Sequence, residues 1–180
     1  MRKVRYSVAA SLDGYIAGPA GEFDWIPEDP TVDFAAIFAR VDTVLLGRRS
    51  FELTQRSGAP PWAPTMRVYV FSRTLRAGTL PGVTLVAEDG ASVVAALRAE
   101  SGPGEIWLFG GGELFGSLLA AGQVDAVEVT VVPILLGGGV PLLPPGGVRR
   151  ALTLTNTRVY PSGMVTLSYS VDGARGNDGA

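Results

Sequence analysis

The stretch Glu105-Ile106-Trp107-Leu108-Phe109-Gly110-Gly111-Gly112-Glu113-Leu114-Phe115-Gly116-Ser117-Leu118-Leu119-Ala120 changes its periodicity halfway along. Residues 105–109 are a short apolar run with two aromatics, which suits a buried strand. Residues 113–120 put Leu114, Phe115, Leu118 and Leu119 on one stripe of a helix. Three glycines lie between, so the stretch predicts a strand delivered through a glycine turn to a helix N-terminus, the repeating unit of an α/β fold. Such a junction is also suited to an anion. The first N–H groups of a helix have no partner, the dipole end is positive, and glycine lets backbone approach closely.

Working outward, the same unit recurs upstream. Residues 43–46 predict a short buried strand ending at Gly47, and Arg48, Arg49 and Ser50 open a helix over 48–55. Before it, residues 4–10 predict a first strand, followed by a Gly/Pro-punctuated loop over 11–30. Phe34, Ile37, Phe38 and Val41 recur at i, i+3, i+4, i+7 and predict a helix over 31–40. A loop is expected over 57–65, strands over 66–71 and 83–87, and a helix over 92–99. Downstream, residues 124–132 alternate Val127, Val129 and Val131 with Glu128 and Thr130, the pattern of a half-exposed strand. A Gly/Pro-rich loop over 133–147 follows, then a hairpin of strands 152–160 and 164–171 around Pro161-Ser162-Gly163. Strands alternating with helices and ending in a strand pair predict an α/β sheet, parallel in its middle and antiparallel at one edge. One domain is expected over 1–171, with a flexible tail over 172–180.

Composition narrows the chemistry. Among 180 residues there is no Cys and no His, against 24 Gly and 13 Pro. That excludes disulfide scaffolds, thiolate nucleophiles, Cys/His zinc sites and triads built on imidazole. A formal net charge of −2 provides no extended field for nucleic acid or an anionic membrane, so neither is expected as a partner. The opening residues are too soon interrupted by Asp13 for a secretory signal, and no run approaches a membrane span, which points to a cytoplasmic protein. Chemistry must come from carboxylates, hydroxyls, backbone amides or a borrowed cofactor.

Two junctions suggest a pyrophosphate held from both sides, with Arg48 and Arg49 adding fixed positive charge. A third candidate is Phe71-Ser72-Arg73-Thr74 at a strand exit, where a hydroxyl beside a guanidinium suits a ribose phosphate. Neither junction is a standard nucleotide fingerprint. Phe115 stands where G-x-G-x-x-G needs its third glycine, and no P-loop sequence exists. The acids Glu22, Asp24, Glu28 and Asp29 lack the spacing of a cation loop, and no metal is assigned. Asp13, in an Asp-Gly turn, reads as a brace for the loop that follows.

The segments ASLDGYIAG (10–18), GEFDWI (21–26), LLGRRSFE (45–52), VFSRTL (70–75), LFGGGELF (108–115) and VPILLGGGVPLL (132–143) occur in this order. Together they resemble the dihydrofolate reductase-like fold over about residues 4–169. More closely, they are similar to the C-terminal reductase domain of bacterial bifunctional deaminase-reductases of riboflavin synthesis and to its stand-alone relatives. The resemblance implies a three-layer α/β fold with a mixed central sheet of about eight strands and helices on both faces. It implies an NADPH-dependent oxidoreductase that passes a hydride to a small heterocyclic substrate, similar to 5-amino-6-(5-phosphoribosylamino)uracil reductase. By the same analogy Val8, Ala9 and Ile16 flank the nicotinamide, and Gly47, Arg48, Arg49 and Ser50 hold the pyrophosphate. Phe71, Ser72 and Arg73 read the 2′-phosphate, while Phe109, Gly110, Gly111, Gly112, Glu113 and Leu114 supply the second helix N-terminus. The Gly-Gly peptide is often cis in this fold.

Asp33, an acid ahead of the aromatic Phe34, is similar to the acid-aromatic pattern on the substrate helix of dihydrofolate reductases. Two readings stand: a general acid with its pKa raised by desolvation near Phe34 and Trp25, or a carboxylate favoured by the helix dipole. Trp25 and Phe34 are the substrate-wall candidates, and Asp29 is the second acid. Several departures qualify the analogy. No deaminase domain is present, residues 47–65 do not match the family's substrate-phosphate contacts, and no arginine pairs convincingly with the helix acid for a folate tail. A homodimer is expected from the family and from the exposed faces of the last strands. Two alternatives remain: a catalytically silent nucleotide-binding or assembly module, and a pterin reductase.

Overall fold

The computed structural model describes residues 1–56, 58, 60–76 and 82–173. In chain order the elements are β1 (Val4–Ser11), β2 (Tyr15–Ala17), α1 (Phe34–Ala39), β3 (Val41–Gly47), α2 (Arg48–Arg56), β4 (Arg67–Phe71) and β5 (Val83–Val86). They continue with α3 (Gly90–Ala99), β6 (Glu105–Gly110), α4 (Gly112–Ala120), β7 (Ala126–Val132), β8 (Val140–Pro141), β9 (Leu152–Val159) and β10 (Val165–Val171). Eight strands form one sheet in the order β5-β4-β3-β6-β1-β7-β10-β9. Pairing is parallel from β5 to β7, and the last two strands run antiparallel. This is the expected mixed sheet. From residue 174 onward the tail lies outside the described residues, as do Ser57, Ala59 and residues 77–81 of the expected loops.

Alternation along the strands sends side chains to two cores. Val4, Tyr6, Leu45, Ile106, Leu108 and Val127 meet Val94 and Leu97 of α3 and Phe115, Leu118 and Leu119 of α4 on one face. On the other, Val44, Leu46, Val68 and Val70 meet Phe51 of α2, with Phe38 of α1 packed alongside. Each buried aliphatic side chain contributes roughly 1.5–3 kcal/mol, so the two faces anchor the helices firmly. A third, smaller cluster of Val132, Tyr160 and Met164 sits at the sheet end under Trp25, Ile26 and Val32.

Three expectations are corrected. The helix over 31–40 contracts to the six residues of α1, because Val41 leaves the helical stripe to pair with Glu105 at the start of β3. None of its residues is buried, and Phe34 is 58% exposed. The loops over 11–30 and 133–147 are not wholly irregular, since β2 and β8 pair across them as a small antiparallel sheet. Gly139 makes that possible: its φ is +143°, and a Cβ there would collide with the Ala17 carbonyl oxygen. Finally, β7 has no exposed residue. It is an interior strand between β1 and β10, so its polar alternation faces something other than open solvent.

Candidate active site

β3 and β6 are adjacent and parallel, with Leu46 opposite Gly110, so both glycine junctions emerge side by side at the strands' C-terminal ends. A Cβ on Gly47 would lie 3.8 Å from the Gly110 carbonyl oxygen and 3.9 Å from the Gly111 nitrogen. The Gly110–Gly111 peptide is cis, as the resemblance implied. Beneath it Tyr6 stacks on Phe115 with ring centroids 4.0 Å apart, and burial pushes the Tyr6 phenol far above its ordinary range, leaving a neutral floor.

The helix ends differ in a way that matters for anions. Asp33 caps α1 by accepting from the Ala36 N–H at 2.8 Å, and Asp89 caps α3 by accepting from Ser92 N–H at 3.3 Å. At α4 the cap position is Gly111, with no side-chain cap. The first turn of α2 carries no acid but begins with Arg48 and Arg49. Cations at a helix N-terminus oppose the dipole by some 0.3–1 kcal/mol each, a cost that a bound anion reverses. Arg48 pairs with Glu52 one turn on at 2.8 Å, whereas Arg49 is exposed.

Both junctions open on one continuous cleft of about 2920 Å³. A typical small-molecule pocket is roughly 300–1,000 Å³, so the cleft has room for a dinucleotide and a second ligand. Val8 and Ala9 on β1, Ile16 on β2, Gly47 to Ser50, Phe71 to Arg73, and Phe109 with Gly111 to Leu114 all line it. Ser72 is buried, and its Oγ accepts from the Thr74 and Leu75 N–H groups at 3.2 and 3.0 Å and lies 3.4 Å from the Thr74 hydroxyl, which fixes it at the strand exit. Gly112 has a different reason for being glycine. A Cβ there would stand 2.6 Å from the Pro141 carbonyl oxygen and 3.0 Å from that of Leu142, so it admits the β8 segment against α4.

Two other predicted positions are placed apart. Gly110 is buried under the cleft wall, not in its lining, and Trp25 packs onto the Val132 cluster with its indole N–H donating to the Glu22 carbonyl at 3.1 Å. Trp25 therefore packs beneath the loop and is not part of the cleft lining. Asp33 and Phe34 do line the cleft, but both are exposed. The desolvated environment expected around Asp33 is absent, because α1 is too short to bury its first turn. Asp29 is buried, and donors from Ser162 and Thr31 hold its carboxyl well below the usual carboxylate range. A group held ionised in this way is a poor proton donor. Asp13 braces the loops as expected, accepting from the Ser11 hydroxyl at 2.6 Å and from the Leu136 and Gly137 N–H groups at 3.1 and 2.7 Å.

The cleft floor also carries polar residues that belong to none of the sequence motifs. Across β1, β7, β10 and β9 the register aligns Ser7, Glu128, Ser168 and Asn156 in one row and Ala9, Thr130, Thr166 and Arg158 in the next. All eight line the cleft. The available signal was the polar half of the β7 alternation, which marks a lined cleft once β7 is known to be interior.

A sequence model of the RibD C-terminal domain matches residues 2–166. The chain is 32% identical over 183 residues to the protein YyaP of Bacillus subtilis, covering 96% of each. It is 29% identical to a Shewanella sp. PV-4 protein named for riboflavin biosynthesis, with a TM-score of 0.81 over 96% of this chain and 99% of that one. At the level of fold alone it matches the dihydrofolate reductase of Enterococcus faecalis in its complex with NADP(H), at 18% identity and a TM-score of 0.69, covering 94% and 96% of the two chains. The sheet order and helix placement described above are thus those of the dihydrofolate reductase-like fold. Among the described residues no helix is long and apolar enough to cross a membrane.

Proposed function

The chain belongs to the RibD C-terminal domain family, and from that premise we propose that it is an NADPH-dependent reductase of a small heterocycle in the pyrimidine or pterin class. The observation that carries the proposal is the pairing of two glycine junctions on adjacent parallel strands. One has arginines where a dipole alone disfavours them and the other has no side-chain cap, and both open on one cleft. These features fit the phosphates of a dinucleotide. Gly47, Arg48, Arg49 and Ser50 would hold the pyrophosphate from α2, and Gly111 to Leu114 from α4. Ser72 and Arg73 would take the 2′-phosphate, and Val8, Ala9 and Ile16 would flank the nicotinamide.

When bound, the cofactor supplies the hydride, so a chain with neither His nor Cys needs only to orient, to exclude water and to hold a proton path. Asp29 is held ionised, and Asp33 is an exposed cap, so neither is assigned the proton. The same observation favours a second reading, a nucleotide-binding module without turnover. Substrate-dependent NADPH oxidation across a panel of pyrimidines and pterins separates the two, because the silent module binds cofactor and oxidises none. Cofactor choice gives a sharper check: Arg73→Ala should weaken NADPH binding about tenfold or more with NADH little changed, the loss expected for a charge-assisted contact to phosphate. Absence of NADPH binding to the wild type by calorimetry would overturn the proposal. The working assembly proposed is a homodimer, and the protein is proposed to act in the cytoplasm.

A further inference from the structure

Polar side chains on the inner strands of a sheet are costly unless they are paired or serve a ligand. The row Ser7–Glu128–Ser168 is such a case. It lies on the face that α1 and α2 cover farther along the sheet, yet over β1, β7 and β10 that face opens into the cleft. Glu128 is at its centre, with its side chain only 14% exposed. One carboxylate oxygen accepts from the Ser7 hydroxyl at 3.1 Å and the other from the Ser168 hydroxyl at 3.1 Å. The group is thereby fixed in orientation from both neighbouring strands.

Two guanidiniums offset its charge without consuming its lone pairs. Arg5 is 3.7 Å away but spends two N–H groups on Glu105 at 2.7 and 2.9 Å, and Arg40 stands at 3.9 Å. A carboxylate offers about four lone-pair sites, of which the two serines take two. The remaining capacity, one site on each oxygen, matches a pair of adjacent N–H donors. Ser7 immediately precedes Val8 and Ala9, so a ring seated on this carboxylate would lie beside the proposed nicotinamide position.

Resting on the reductase reading above, we propose that Glu128 anchors the substrate, accepting two neighbouring N–H groups of a heterocycle, a ring N–H and an exocyclic amine, while Ser7 and Ser168 hold it in place. Glu128 is a binding and specificity residue of the cleft, and the substrate class is an amino-substituted pyrimidine edge that presents donor next to donor.

The test uses 2-amino-4-hydroxypyrimidine, which presents that edge, and 2-methyl-4-hydroxypyrimidine, which keeps the shape and loses the amine. Both are titrated by calorimetry into NADPH-saturated wild type, Glu128→Gln and the double variant Ser7→Ala with Ser168→Ala. The amino compound should bind wild type about ten- to hundredfold more tightly than the methyl compound, the size of a lost hydrogen bond to a charged group. That preference should collapse in Glu128→Gln and shrink in the serine variant, while NADPH affinity, measured separately, stays within about twofold. An undiminished preference in Glu128→Gln, or no preference in wild type, would overturn the inference and leave the reductase reading standing. Failure of wild type to bind NADPH would overturn that reading and the inference with it. Should Glu128→Gln not fold, an unchanged preference in the serine variant overturns the inference by itself.

Discussion

Asp29 and Asp33 are the same residue type four positions apart in the chain, and their surroundings give them different work. Asp29 is buried and takes donors from Ser162 and Thr31, which joins the loop before α1 to the turn between β9 and β10. Its folded pKa is depressed, so its contribution is present above the ordinary carboxylate value of about 4 and is lost as pH falls through and below it. Acid unfolding of the wild type should therefore steepen below about pH 4. In Asp29→Asn the midpoint in urea should be lower at neutral pH and the acid limb flatter, and a limb of unchanged slope would contradict the assignment. Asp33 is instead an exposed cap that accepts from the Ala36 N–H. Asp33→Ala should cost about 1 kcal/mol in urea denaturation, and Asp33→Asn, which caps as well, only a few tenths. If Asp33→Asn instead removed NADPH oxidation while the fold kept its stability, the carboxylate would be chemical after all.

At the level of elements, the strand-glycine-helix units were legible because each signal is local: an apolar run, a glycine, then a 3.6-residue stripe. Helices α2 and α4 and strands β3 and β6 fell close to where the pattern put them, and the candidates Gly47 to Ser50 and Gly111 to Leu114 met in one cleft as a consequence. Two other kinds of feature were not legible. β2 and β8 are three and two residues long, too short for any periodicity, and their pairing is fixed by close backbone approach at Gly139 and Gly112. α1 is shorter than its stripe, since Val41 fits the helical spacing but is claimed by β3. Gly112 shows the difference in kind: sequence marks it as a phosphate-approach glycine, and the fold adds that its missing Cβ is the space β8 needs. Gly112→Ala should therefore force the Pro141–Leu142 segment away and cost about 1–3 kcal/mol of stability by overpacking, read as a lowered urea midpoint. A destabilisation within about 0.5 kcal/mol would show that β8 yields freely.

At the scale of the whole molecule, the mixed character of the sheet was legible but its order was not, because β1 pairs with β6 and β7 more than a hundred residues away and nothing local records that register. The order has consequences at the two edges. One edge is β5, four residues long; the other is β9, eight residues long and exposed at every position. Long exposed edges invite pairing with another chain, and proteins usually blunt them with proline, charge or bulges. β9 has no proline, and its bulge opposite Ser168 and Tyr169 is the one irregularity. Its single charge, Arg158, is engaged within the chain, donating to the Thr31 carbonyl at 2.7 Å and lying 4.8 Å over the Tyr160 ring. Meanwhile Leu152, Leu154 and Val159 stand 42%, 54% and 71% exposed. A second copy of the chain is the occupant that the proposed homodimer places there. Sedimentation velocity at micromolar concentration should then give a dimer, with a melting temperature that rises with protein concentration, as it must when folding and association are linked. Charging the edge with Leu154→Glu and Val159→Glu together should yield a folded monomer whose melting temperature no longer depends on concentration. A wild type that sediments as a monomer, or a doubly charged variant that stays dimeric, would place the self-association surface elsewhere or remove it.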